Sequence, residues 1–263
     1  MFNKIKLKSE ADIELIKESS LLVGKTLAEV AKAIMPGVPL LYLDKIAEEF
    51  IRDHKAVPSF KGYGGFPASL CLSVNDVVVH GIPNNTLLKD GDIISVDCGV
   101  YKNGFHGDYA YTFAVGEISE ENKLLIKRTK ESLYLGIEAA QAGKTTGDIG
   151  FAVQRYVEHF GYGVVRELCG HGIGKAMHEK PDIPNYGLPR KGDLLREGMV
   201  FCIEPMITQG TRKIYMEKDN WTIRTQDGKP AAHFEHQVAL TKNGTEVLST
   251  YEFVEEVLGN NII

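Results

Sequence analysis

Two nearly matching segments lie 107 residues apart, and each ends in a carboxylate: Lys89-Asp90-Gly91-Asp92-Ile93-Ile94-Ser95-Val96-Asp97 and Arg196-Glu197-Gly198-Met199-Val200-Phe201-Cys202-Ile203-Glu204. In both, a basic residue, an acid and a glycine form a turn. A mostly apolar run follows, and an acid closes it six positions after the glycine, 91 to 97 and 198 to 204. A buried strand that ends in a carboxylate is costly unless the charge is paired or binds a metal. Two such strands at equivalent places imply two half-domains folded over a shared site.

The repeat extends further. Lys17-Glu18-Ser19 recurs as Lys130-Glu131-Ser132, and Pro36-Gly37-Val38 as Ala142-Gly143-Lys144, a shift of 106. His80-Gly81-Ile82-Pro83 has a counterpart in His178-Glu179-Lys180-Pro181, a shift of 98. The common order of these matches points to diverged copies with short insertions. The period is too long for a solenoid. The expectation is one domain over residues 1–263, with half-repeats at about 11–116 and 120–250 and approximate two-fold symmetry.

Of 263 residues, 43% are hydrophobic and 25% charged, which describes a soluble globular chain with a full-sized core. A balance of 30 basic against 35 acidic residues argues against nucleic acid as the main partner, because phosphate binding needs a clustered basic surface. The lysine-bearing stretch Met1 to Glu10 has no apolar core of a secretory signal, and no apolar run approaches the roughly 18 residues that span a bilayer. Cys71, Cys98, Cys169 and Cys202 are dispersed without a CxxC pair, so neither a zinc ribbon nor a disulfide framework is indicated. A reducing cytoplasm is the expected location.

Helical periodicity covers Ala11 to Ile34 and Leu41 to His54, and again Glu120 to Ala142 and Thr146 to His159. Strand-like stretches run over Ser69 to Val74, Asp92 to Tyr101 and Asp108 to Val115, then Met199 to Thr208, Trp221 to Thr225 and Ala232 to Thr241. Two helices then strands, twice over, predict an α+β fold in which two helix pairs cover one face of a mainly antiparallel sheet.

Lys102-Asn103-Gly104-Phe105 between apolar runs signals a two-residue type I′ hairpin. In that register Asp97 faces Ala110 and Asp108 faces Gly99. Both acids then share a face as diagonal neighbours, roughly 7–8 Å apart at the backbone, close enough to converge on one or two cations. A solvated hairpin with its acids in water is the ordinary alternative; the repeat copy at Glu204 reverses that preference.

In the second half, Gly170-His171-Gly172-Ile173-Gly174 is read as a glycine-rich turn around a histidine. It lacks the lysine of a phosphate loop and the spacing of a dinucleotide fingerprint, so His171 is better read as a metal ligand. In His233-Phe234-Glu235-His236, alternation puts His233 and Glu235 on one face and His236 on the other. A lone His or Glu in a strand is usually a satisfied structural group. Four acids beside one imidazole would, unneutralised, raise one another's pKa strongly.

Asp97, Asp108, Gly170-His171-Gly172-Ile173-Gly174, Glu204-Pro205 and Glu235-His236 resemble the five-ligand signature of the type I methionine aminopeptidases, which have the pita-bread fold. Val74-Asn75-Asp76 leading to His80-Gly81-Ile82-Pro83, then His178-Glu179 and Trp221, match as well, so the similarity spans nearly the whole chain. Phe60, Met177 and His233 depart from the residues more usual in the family's best-known bacterial members.

The resemblance implies an enzyme that uses two divalent ions, Co²⁺, Mn²⁺, Fe²⁺ or Zn²⁺. Asp97 would bind one ion through both oxygens, Asp108 and Glu235 would bridge, and His171 and Glu204 would complete the other. Hydroxide held between the ions would attack the first peptide bond, with Glu204 shuttling the proton and His80 and His178 flanking the scissile bond. A pocket of Tyr63, Phe66, Cys71, Met177 and Trp221 would suit a flexible thioether chain. The partners implied are N-termini of nascent polypeptides, with transient ribosome contact, neither DNA nor membrane, and a monomeric state. The rivals are a prolidase- or aminopeptidase P-like Xaa-Pro peptidase and a non-catalytic protein on the same fold.

Overall fold

The computed structural model describes residues 4–263. Helix α1 (Glu10–Ala31) starts where Ser9 and Asp12 cap each other: the Asp12 amide donates to Ser9 Oγ (3.2 Å) and the Ser9 amide to the Asp12 carboxylate (3.0 Å). Helix α2 (Leu40–Asp53) follows, then α3 (Glu120–Ala139) with Ser119 as its cap, and α4 (Thr146–His159) with the Thr145 amide donating to Asp148 at 2.8 Å. The short α5 (Glu252–Leu258), which the periodicity missed, lies against α1. Among the described residues no helix is long and apolar enough to cross a membrane.

The two halves repeat their backbone bonds as well as their sequence. The Gly37 amide donates to Leu88 O (2.7 Å) and the Leu88 amide to Val38 O (2.9 Å). The Gly143 amide donates to Leu195 O (2.9 Å) and the Leu195 amide to Lys144 O (2.8 Å). Gly37 and Gly143 both have φ 89°, which a side chain would strain. In the sheets Val74 pairs with Ile94 and Gly172 with Phe201. The offsets, 172 minus 74 and 201 minus 94, are the same 98 and 107 residues that separate the sequence matches.

Among the described residues every strand pair is antiparallel. Strand Ile93–Lys102 lies between Leu70–Val74 and Phe105–Ala114, and the hairpin closes at Asn103 and Gly104, with φ 52° and 85° as a type I′ turn requires. Strand Val200–Ile203 lies between Gly170–Gly172 and His236–Thr241 in a five-stranded sheet that Glu179–Ile183 and Gly244–Val247 complete. Two smaller three-stranded sheets hold Met206–Thr208 between Ala231–His233 and Gly163–Val164, and Ile223–Thr225 between Ile214–Met216 and Val77–Val79. Together with the helix pairs this is the α+β pita-bread arrangement, its antiparallel sheet divided into four segments.

Several expectations differ from the structure. Met199 to Thr208 is not one strand, because Pro205 has no N–H to continue the ladder. Ala232 to Thr241 is also broken, at Phe234-Glu235, since its two parts pair with different sheets. Gly170-His171-Gly172 is a strand rather than a turn. A Cβ on Gly170 would stand 2.3 Å from Cys202 O, and one on Gly172 2.3 Å from Lys180 O, so the glycines permit unusually close neighbouring backbones.

A core of buried side chains, among them Leu27, Tyr111, Phe113, Leu133, Phe201 and Phe234, runs through both halves. Helix α1 presses onto the hairpin at Gly107, where an added Cβ would meet Ser20 N at 2.4 Å, while Ser19 Oγ donates to Phe105 O (3.2 Å) or Lys102 O (3.1 Å). The atoms it would meet, in Ser19 and Ser20, are backbone and cannot swing aside. Gly107→Ala is therefore expected to cost about 1–3 kcal/mol. Urea denaturation checks this, and an unchanged midpoint would mean that α1 can slide.

Candidate active site

Strand pairing sets the first two acids. Asp97 faces Ala110 and Asp108 faces Gly99, the register expected from the hairpin. The second half supplies Glu204 and Glu235 from the two strand breaks. The Glu235 amide donates to Ala110 O (3.1 Å) or Tyr251 Oη (3.1 Å), while the Tyr251 hydroxyl bonds Ala110 O (2.9 Å) or Glu235 O (2.8 Å). The Asp108 amide donates to Gln237 Oε1 at 3.3 Å. Each half thus grips the backbone that carries the other half's acids. Tyr251 and Gln237 went unnoticed in the sequence, because nothing local marks contacts this distant.

Burial lifts Asp97 to about 7 and holds Asp108, Glu204 and Glu235 well above the usual carboxylate range; repulsion among the four adds to it for Asp108, Glu204 and Glu235. Asp97 Oδ1, Asp108 Oδ1 and Glu235 Oε1 are buried without a hydrogen-bond partner among the described residues. His171 Nδ1 bonds Gly172 O at 3.0 Å, which fixes a proton there and turns Nε2 to Asp108 Oδ2 (3.7 Å) and Glu204 Oε1 (3.8 Å). Burial lowers His171 to about 3, so the ring is neutral and its Nε2 lone pair is free. Orphaned acidic oxygens and an oriented neutral imidazole fit a divalent cation. Cys202 lies within the same cluster, but burial pushes its thiol well above its usual range and keeps it protonated, a poor ligand.

The acids form one end of a cavity of about 310 Å³. It is lined by Asp97, Asp108, His171, Glu204 and Glu235, by His80 and His178, and by Tyr63, Phe66, Cys71, Met177 and Trp221, so the structure brings the five expected ligands, the two flanking histidines and the expected pocket to one place, while His233 lies behind its lining. Cys71 is there because it pairs with Asp97 across the ladder. Trp221 precedes its strand rather than belonging to it; Asp219 accepts from its amide (2.9 Å), and its indole meets Phe66 edge-on at 5.1 Å.

His80 ends the strand Val77–Val79 with φ 58°, a left-handed turn that sets it at the cavity edge, 6.4 Å from the Trp221 ring. His178 lies across from it, 4.1 Å from the His171 ring, with Nδ1 bonded to Tyr63 Oη at 2.8 Å. Burial lowers both histidines, His80 to about 4, so both are neutral at pH 7.

The model of metallopeptidase family M24 matches residues 14–242. The chain is 53% identical over 247 residues to the methionine aminopeptidase of Clostridium acetobutylicum, a match that covers 94% of this chain and 99% of that one. The chain belongs to the methionine aminopeptidases. The crystal structure of the methionine aminopeptidase from Rickettsia prowazekii superposes with TM-score 0.93 at 40% identity, covering 94% of this chain and 100% of that one. The prolidase from Pyrococcus furiosus shares the fold alone: TM-score 0.77 at 24% identity, covering 94% of this chain and 66% of that one.

In this methionine aminopeptidase Val79, Leu168 and Met206 complete the apolar wall beside Phe60. Sequence reasoning passed over these three, although each lies within three residues of a site histidine or acid. Met206 was hidden by the assumption of an unbroken strand. Once the chain breaks at Pro205, its side chain enters the cavity from a different sheet.

Proposed function

We propose that this chain removes the N-terminal methionine from nascent proteins and peptides whose second residue is small. The observation that carries this reading is a single cavity lined by the soft apolar side chains of Phe66, Cys71, Met177 and Trp221 and by four carboxylates, Asp108 and Glu235 buried and Asp97 and Glu204 partly so. Thioether and aromatic surfaces suit an unbranched thioether side chain and exclude a charged one.

Asp97, Asp108, His171, Glu204 and Glu235 would hold two divalent ions. Bound there, the ions supply Lewis acidity and lower the pKa of water from ~16 towards ~7, so that hydroxide is available at neutral pH. Glu204 accepts the proton released by the attacking water and returns it to the leaving amine. His178 Nδ1 and the Tyr63 hydroxyl are 2.8 Å apart, and in the tautomer the reaction needs the hydroxyl donates to Nδ1, which leaves the ring's proton on Nε2 to donate to the developing oxyanion. His80, also at the rim, contacts the amide nitrogen or the leaving side of the scissile bond. The free α-amine of the substrate docks among the acids, so a blocked terminus lacks its anchor.

The second residue lies between the rim histidines. A bulky residue there displaces the carbonyl, and a misplacement of about 1 Å costs on the order of 10²-fold in rate. Met-Ala-Ser and Met-Gly peptides are expected to lose one methionine and stop, whereas Met-Lys and formyl-Met-Ala peptides resist and Xaa-Pro dipeptides remain intact. Peptide mass spectrometry with the metal-loaded enzyme decides the matter. Rapid cleavage of the formylated peptide, trimming beyond the first residue, or preference for Xaa-Pro would overturn the reading.

A further inference from the structure

His233 stands where the strand Ala231–His233 breaks off, and its backbone is clamped to the other half of the molecule. Its amide donates to Thr112 Oγ1 (3.1 Å) or Ser95 Oγ (3.2 Å), and the Thr112 hydroxyl donates to His233 O (2.7 Å). The residue is 1% exposed, and Nε2 is buried with no hydrogen-bond partner among the described residues. That nitrogen points at two acids, lying 3.7 Å from Glu204 Oε2 and 3.8 Å from Glu235 Oε2.

These separations are too long for hydrogen bonds, which need about 2.7–3.2 Å between N and O. They are close to what an ion imposes: donors about 2.1 Å from a common centre stand roughly 3.0–3.6 Å apart at angles of 90–120°. His171 shows the same spacing, 3.7 and 3.8 Å, to Asp108 and Glu204. His171 is grouped with Asp108, Cys202 and Glu235, and His233 with Glu204 and Glu235, so the acid cluster has an imidazole on either side.

We infer that His233 is a sixth protein ligand, giving its Nε2 to the ion shared by Glu204 and Glu235. The inference rests on the reading of the acids as metal holders, and it adds a second nitrogen donor to a site otherwise rich in oxygen. A second imidazole favours Fe²⁺, Co²⁺ and Zn²⁺ over Mn²⁺, which prefers oxygen. The clamp from Ser95 and Thr112 holds the backbone of His233 in place before the ion arrives.

Full-length apo-protein labelled with ¹⁵N-histidine, titrated with Zn²⁺, gives a readout independent of activity. Two imidazoles, those of His171 and His233, are expected to take on metal-bound chemical shifts. His233→Gln is expected to remove one of them, and calorimetry should show the affinity for one ion weakened by at least about 10-fold for Zn²⁺ and by less for Mn²⁺. A single metal-bound imidazole in the unaltered protein, or affinities within about 2-fold after His233→Gln, would overturn the inference. His171→Gln separates the two levels. If it weakens zinc while His233→Gln does not, only the sixth ligand is lost; if neither does, the reading of the acids fails too.

Discussion

Asp108→Asn is expected to lose metal and to cut turnover at pH 7 by at least about 10³-fold, since without bound ions the water nucleophile returns to a pKa near 16. Asp108 is 3% exposed, its Oδ1 has no partner among the described residues, and its Oδ2 faces His171 Nε2 at 3.7 Å. Asparagine keeps the shape, and its amide can donate to the neighbouring acids. The apo-variant should therefore fold at least as well as the apo-enzyme, because one buried like charge is gone. Elemental analysis and calorimetry check the metal, and a dipeptide assay checks the rate. An Asp108→Asn enzyme with both ions and normal turnover would refute the bridging role.

The acids also leave a signature in apo-protein stability. Asp97 is raised to about 7, and Asp108, Glu204 and Glu235 are held well above their usual range, so the folded chain binds more protons than the unfolded one above their ordinary pKa values. Stability then falls as pH rises. Buried histidines act in the opposite sense: His171 and His233 are lowered to about 3 and His80 to about 4, so they favour folding as pH climbs towards 6.5. The buried histidines are common to the apo-enzyme and Asp108→Asn, so their contribution cancels when the two are compared. The melting temperature of the apo-protein relative to that of apo-Asp108→Asn should thus drop as pH rises above the ordinary carboxylate range, and saturating divalent metal should restore it. A difference between the two that does not change with pH would mean that Asp108 is not held protonated by its surroundings.

Much of the site was legible because two simple periodicities meet in it. The Asn103-Gly104 turn fixes the hairpin register, and a period of two then puts Asp97 and Asp108 on one face without any knowledge of the rest of the chain. The six-residue interval from Gly91 to Asp97 and from Gly198 to Glu204 marked the second acidic strand in the same way. The breaks were harder. Pro205 is a readable interruption, but Phe234-Glu235 carries no local breaker; the chain parts there because His233 pairs with Met206 and His236 with Ile203, in different sheets. Strand formation at Gly170–Gly172 was hidden for a related reason. Glycine has poor strand propensity, and only the nearness of Cys202 O and Lys180 O, unseen in the sequence, requires it. Local chemistry placed the candidate ligands; contacts across a hundred residues decided how the backbone reaches them.

His178 separates metal binding from catalysis. Its ring lies 4.1 Å from that of His171, yet it stands at the cavity rim with Nδ1 taken up by Tyr63 Oη. His178→Ala should therefore keep its metal and its fold and lose roughly 10²–10³ in kcat, the range for deleting a donor to a developing oxyanion. KM should change little, because the apolar pocket and the acids proposed to anchor the substrate amine remain. Tyr63→Phe is the finer probe. It removes only the hydroxyl that bonds Nδ1 at 2.8 Å, so the ring stays but both tautomers become populated. The expected loss in kcat is about 10-fold or less, with metal content unchanged and no further loss when the substitution is combined with His178→Ala. Steady-state kinetics with elemental analysis of the three variants decides it. Metal loss in His178→Ala would make this histidine a ligand, and additive losses in the double variant would mean that Tyr63 acts on the substrate itself rather than through the imidazole.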